Sequence, residues 1–237
     1  LAVYAALQGS NFLLVLYIQN VMGFSALQAG LMTAPISLML LLLSAFFGRQ
    51  ANRHGPRLFM TFGPITAGIG LALLARLNPD SNIWLELIPA IFVFGLGLSG
   101  TVAPLTDTVM SSAPGKHSGV AAAFNNMVSR VAALLAVAAF GVVLSLGFAN
   151  TINNRLQVSD LSSEASSRLQ EIAEDPAAGV AGEGLSQDAV DLYENAFTVG
   201  FRQAMFTGAG LAGLGGIIAF ITIRKKTKTQ NASKPTE

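Results

Sequence analysis

The sequence predicts an all-α membrane protein with six transmembrane helices in one bundle. Three observations carry that reading. Hydrophobic residues make up 52% of the 237-residue chain and charged residues only 11%, where a soluble domain carries about 25% charge. The apolar residues fall into six runs, each long enough to cross a hydrocarbon core of about 30 Å, which takes roughly 20 helical residues. The charges sit in the gaps between runs, most densely in "GRQANRHGPR" at 48–57. Mean hydropathy is +0.56.

The first run covers about residues 1–21. It carries Tyr4, Gln8, Asn11 and Gln19 at offsets that place them roughly on one face of a helix. Such a face either bonds to neighbouring helices or walls a wet cavity. "GFS" leads into the second run, 26–47, so these two helices are antiparallel neighbours. The hairpin follows, with Gly55 and Pro56 permitting a tight turn. The third run is 58–77. After "NPDSN" comes the fourth, 85–110, with a small-residue stripe at Gly95, Ser99 and Ala103 and with Asp107 near its end. "SSAPGKH" joins it to the fifth run, 118–149. The sixth, 198–223, has a second stripe at Ala204, Gly208, Ala212 and Gly216. Both stripes have the four-residue spacing that lets helix backbones approach closely. Residues 1–149 thus hold helices one to five and residues 198–223 the sixth. Between them lies a strongly acidic segment, 150–197, in which "SSEASSRLQEIAED" has the pattern of a short amphipathic helix. Residues 224–237 form a basic tail.

Lys and Arg in the short connections set the orientation. Arg49, Arg53, Arg57, Lys116, Arg224, Lys225, Lys226, Lys228 and Lys234 fall on one side, against Arg76, Arg155, Arg168 and Arg202 on the other. The richer side is cytoplasmic on this rule. Both ends of the chain are then inside and the acidic segment outside. Leu1 already falls within an apolar run, with no basic leader or cleavage site, so the chain reads as continuous with something longer.

Several chemistries are disfavoured. A net charge of +1 gives no argument for nucleic acid, and no cysteine is present for disulfides or thiolate metal sites. The two histidines have no ligand-like companions, so no metal or organic cofactor is expected. "GLGLSG" at 95–100 fits a dinucleotide pattern only formally, because it lies inside an apolar span with no strand before it. An intramembrane hydrolase built on Asp107 lacks a second carboxylate at its depth, and no enzyme is expected. The candidate functional residues are polar ones in the spans. In "FNNMVSR", Asn125, Asn126 and Arg130 share one helical stretch. Counted from the start of the run at 118, Arg130 lies about 18 Å deep, and an arginine there is expensive unless it faces a cavity or a partner. The same count separates it from Asp107, which suits a salt bridge to Arg49 or Arg53 instead.

The assembled motifs resemble the major facilitator superfamily, and most of all its fourteen-helix drug/proton antiporter branch. "YIQNVMGFSALQAGLMTAP" at 17–35 is similar to the helix–turn–helix that opens that branch's carboxyl half. Gly48, Arg49, Asn52, Arg53, Gly55 and Arg57 resemble the family's cytoplasmic G-x-x-x-D-R-x-G-x-R hairpin, with Asn52 in place of its usual Asp. "GVAAAFNNMVSRVAALLAVAAFG" at 119–141 resembles the penultimate helix and "AFTVGFRQAMF" the approach to the last. The resemblance implies the six-helix carboxyl-terminal half of a proton-coupled multidrug exporter in a bacterial cytoplasmic membrane, N-in and C-in, working by alternating access. Tyr4, Gln8, Asn11, Gln19, Asn125, Asn126 and Arg130 would then belong to the substrate pathway, and the hairpin with Asp107 to a cytoplasmic latch. The first, second, fourth and fifth helices would line the cavity while the third and sixth face lipid. Its partners would be membrane lipid, the absent amino-terminal half, a proton and an amphipathic small molecule. A non-transporting scaffold or regulatory half-protein is the other reading.

The orientation has a direct check, since the chain has no cysteine of its own. With single cysteines at Ser163 and Ser233, a membrane-impermeant thiol reagent added to intact cells should label position 163 and spare 233. The reverse pattern would overturn the orientation.

Overall fold

The computed structural model describes residues 1–112, 118–156, 162–174, 176 and 186–223. Lys116, His117, Asp160, Asp175, Glu183 and the basic tail lie outside them. Among the described residues the expected all-α class holds: the chain is helical and contains no strand. The helices are α1 (Ala2–Asn20), α2 (Ala26–His54), α3 (Pro56–Leu74), α4 (Ile88–Ser112), α5 (Ser118–Leu156), α6 (Ser163–Ile172) and α7 (Gln187–Thr222), with a π-helical turn at Ile83–Leu87 leading into α4. All but α6 are long and apolar enough to cross a membrane, which makes six candidate spans.

Local chemistry sets the joints. Gly23 turns the chain after α1 at φ +71°, and Ser25 then opens α2 with a reciprocal capping box to Gln28. A single residue, Gly55 at φ +91°, separates α2 from α3. Only glycine adopts that backbone readily, and Pro56 follows as the first helical residue, where its missing N–H is harmless. Asn82 accepts from the amides of Trp84 and Leu85 and so starts the π turn. Within the spans, hydroxyls bond the carbonyl four residues back, as Thr61 does to Arg57, Ser99 to Gly95 and Thr101 to Gly97. Lipid offers no hydrogen bonds, so each such hydroxyl must find its partner within the protein.

The centre of the bundle is α3, held between α4 on one side and α7 on the other. Both contacts are backbone-close. A Cβ on Gly97 would collide with the Ala67 amide, and one on Gly70 would stand 2.5 Å from the Phe94 nitrogen. On the opposite side a Cβ on Gly216 would lie 2.8 Å from the Thr61 carbonyl oxygen, and one on Gly68 would lie 3.0 Å from that of Ala209. The "GLGLSG" stretch is therefore a crossing point used from two sides. Gly95 meets Ile36 and Met39 of α2, while Gly97 and Gly100 meet α3. The stripe at Ala204, Gly208, Ala212 and Gly216 is buried throughout. Helix α1 sits against α7 and α5, with Gly9 under the Phe140 ring.

The long helices overrun the spans expected from hydropathy. Helix α5 continues past residue 149 to Leu156, and α7 begins at Gln187, before 198. Helix α6 forms within the acidic segment where its amphipathic pattern predicted, capped by Ser162 and burying Ala165 and Leu169. At the same end, Tyr17 stacks on Phe201 at 4.3 Å, and Phe148, Tyr193 and Phe197 extend the aromatic cluster. Tyr17 donates to Thr198 Oγ1 at 3.3 Å within it.

The α3–α4 crossing should be the least forgiving contact. Gly97→Ala forces backbones apart and should cost about 1–3 kcal/mol, read as a lowered thermal unfolding midpoint in detergent. Gly210→Ala, with nothing within 4 Å of its Cβ, should leave the midpoint unchanged or raise it slightly. Equal midpoints for the two variants would refute the close contact.

Candidate functional site

The middle of the polar face of α1 points away from the bundle. Gln8 and Asn11 are exposed near the middle of this 19-residue helix, and their side chains make no hydrogen bond with the described residues. Gln19 is half-buried and donates back to the Val15 carbonyl at 3.2 Å. Tyr4 is half-buried and accepts from Asn125 Nδ2 at 3.4 Å. Two candidates from distant parts of the chain are thereby brought together, one on α1 and one on α5. Asn126 and Arg130 are exposed on α5, and Arg130 lies on the face opposite buried Ala132. The guanidinium has no ion pair or hydrogen bond among the described residues.

Two contacts fix α5 in the bundle. Gly147 and Gly200 touch backbone to backbone, and Asn125, five residues before Arg130, is tied to Tyr4 of α1. The exposed face that follows on α5 therefore adjoins the exposed amides of Gln8 and Asn11 on α1.

The hairpin differs from expectation in its contacts. Gly48 is buried beside Asp107, so close that a Cβ there would lie 3.2 Å from the Asp107 Oδ2. Arg49, Asn52 and Arg53 are exposed, and neither arginine comes within 4 Å of the carboxylate. The expected salt bridge is not formed in this structure. Arg57 instead turns onto α7, with its guanidinium 4.2 Å from the centre of the Phe220 ring, and its Nε is buried without a partner. Gly55 supplies the sharp turn that the sequence suggested.

Sequence reasoning missed Arg202. Its Nε donates to the Ala75 carbonyl at 3.0 Å and its Nη2 to Asn78 Oδ1 at 3.1 Å. It thereby closes the carboxyl end of α3 from α7, where unpaired carbonyls favour a cation. Its isolation among apolar residues was the available signal. Among the described residues no group of His, Cys, Asp or Glu could hold a metal ion.

These features define an apolar helical bundle with exposed polar side chains on α1 and α5. A model described as Major Facilitator Superfamily matches residues 1–151, which take in α1 to α4 and most of α5. The chain belongs to that family. It is 31% identical over 143 residues to the methylenomycin A resistance protein of Bacillus subtilis (strain 168), covering 60% of this chain and 30% of that one. Over 148 residues it is 27% identical to the multidrug efflux pump LfrA of Mycolicibacterium smegmatis, covering 61% and 29% respectively. Over 139 residues it is 26% identical to the riboflavin transporter RibZ of Clostridioides difficile, covering 59% and 30%. The matched stretch is thus about 30% of the length of these curated relatives.

The Arg202 clamp has a measurable weight. Ala75 is 1% exposed, so Arg202→Ala strands a buried carbonyl and should cost about 1–3 kcal/mol. The check is the thermal midpoint in detergent, with Asn78→Ala losing less because the bond to Ala75 remains.

Proposed function

We propose that this chain is the carboxyl-terminal six-helix half of a proton-coupled, multidrug-type exporter that works by alternating access, and that it does not transport alone. The observation that carries the proposal is the pair of exposed amides, Gln8 and Asn11, at mid-span on α1. A polar amide facing hydrocarbon at that depth is unfavourable. It is accommodated where the face lines a water-filled cavity or meets a second bundle. Helix α2 supports the same reading. In its most apolar stretch only 6% of residues are buried, against 50% in α4, which leaves a long face for an amino-terminal bundle to cover. The exposed residues of α3 are large and apolar, Leu58, Phe62 and Ile69, as suits a lipid contact. The names of the resistance and efflux relatives favour export of amphipathic small molecules, with no chemical conversion of the cargo. The setting is a bacterial cytoplasmic membrane, with the hairpin inside and the acidic segment outside.

In this reading Tyr4, Gln8, Asn11, Gln19, Asn125, Asn126 and Arg130 border the pathway. The hairpin and Asp107 act as a latch that breaks and reforms as the two halves rock. Gly48 holds Asp107 against α2, and the ion pair with Arg49 or Arg53 belongs to another conformation than the one described.

Two experiments test this. Liposomes holding only these 237 residues should show no efflux driven by a proton gradient, and efflux from them would refute the dependence on a second half. In a longer form that transports, Arg130→Ala should insert normally and impair export, with Arg130→Lys restoring only part because the planar, two-pronged donor is lost. Full restoration by lysine would identify Arg130 as a headgroup anchor. Asp107→Asn should shift the inward/outward balance, seen as altered accessibility of cysteines placed at Gln8 and Asn11.

A further inference from the structure

At the end of the bundle away from the hairpin, the close of α3 and the start of α4 border a half-open cavity of about 400 Å³. Leu73, Leu85 and Pro89 make its apolar walls, and Arg76, Asn78 and Glu86 its polar ones. The size lies in the range of small-ligand sites. Asn78 is already committed, since its Oδ1 receives Arg202 and its Nδ2 donates to the Arg76 carbonyl at 3.1 Å. The two charges are not. Arg76 and Glu86 are both exposed and no nitrogen–oxygen distance between them falls within 4 Å. Glu86 uses Oε2 to accept from Ser81, and its Oε1 has no partner among the described residues. The cavity therefore presents one cation and one anion, held apart, over an apolar floor.

Its position tells what kind of molecule arrives. Spans α3 and α4 end here, so the cavity sits at the boundary between hydrocarbon and water. Trp84 and Leu85 beside it are 77% and 76% exposed, and tryptophan favours that boundary. We propose that the cavity binds the headgroup of a zwitterionic phospholipid that carries a primary ammonium, with the phosphate on Arg76 and the ammonium on Glu86. The glycerol and first acyl carbons lie along Leu73, Leu85 and Pro89. A trimethylammonium headgroup matches the charges but has no N–H to donate to the Glu86 oxygen. Selection between the two headgroups follows from that hydrogen bond. The site is separate from the polar face of α1 and α5 and stands whether or not the chain transports.

Trp84 is the chain's single tryptophan, so its fluorescence reports this place alone. The protein is reconstituted in bilayers that mix phosphatidylethanolamine and phosphatidylcholine of identical acyl chains, with bromine quenchers on one lipid at a time. Quenching should favour the ethanolamine lipid by about threefold or more, the weight of one net hydrogen bond. In Glu86→Gln the ratio should fall to near one, and in Arg76→Gln quenching by both lipids should fall together, while the thermal midpoint holds in each. Equal quenching by both lipids in the unmodified chain overturns the proposal, as does a preference that survives Glu86→Gln. A third arm adds soluble phosphoethanolamine at millimolar levels. If it abolishes the difference in quenching only by competing, the lipid source stands. If it alone shifts Trp84 emission and no lipid preference exists, the cavity takes a free solute and the lipid assignment fails.

Discussion

Backbone-to-backbone contact at α3 is the constraint on which the rest of this structure depends. In a membrane there is no gain from hiding apolar side chains from water, so helices hold together through packing and hydrogen bonds. Packing of that kind needs closeness, and closeness needs glycine. Gly63, Gly70 and Gly97 set the α3–α4 contact, and Gly68 and Gly216 the α3–α7 contact. With α3 clamped from both sides, α2 is carried on α4, and α1 and α5 on α7. The side chains that face outward are then free to differ from one another, because they hold nothing together.

That freedom sorts the surface. On α3 the outward residues are uniformly large and apolar. Helices α1 and α5 carry amides and a guanidinium among theirs, and α2 presents an apolar face almost without neighbours. A single lipid environment does not require three different surfaces. The difference is what one expects when one flank meets acyl chains, another meets water and a third meets protein.

Much of this was legible in the residues. Six spans followed from run length, the one-residue joint from Gly55 and Pro56, helix α6 from its pattern, and both stripes from their spacing. Helix length was not legible. Helix α5 is 39 residues long, roughly 58 Å, far more than a bilayer requires. Contacts with helices distant in sequence carry it past the apolar run, and a single run contains no trace of them. Partners were also hidden. Charge complementarity suggested Arg49 or Arg53 for Asp107, but in this structure the carboxylate rests on Gly48, and it is Arg57 that engages another helix, through a ring. Arg202 was counted only as a loop charge because its acceptors, Ala75 and Asn78, sit more than a hundred positions away.

The overrun of α5 and α7 makes this a molecule with two solvents. Helix α7 spans 36 residues, about 54 Å, against a hydrocarbon core of about 30 Å. Its surplus, with the end of α5 and the short α6, gathers around Phe148, Leu169, Tyr193 and Phe197, all buried. Those side chains cluster for the reason a soluble core does, because water excludes them, while the glycine seams deeper down owe nothing to water. Urea and cold act first where water is the excluding solvent, and a change of lipid or detergent first where it is not. The buried residues nevertheless form one continuous core, so a loss at either end is passed along α5 and α7 to the other.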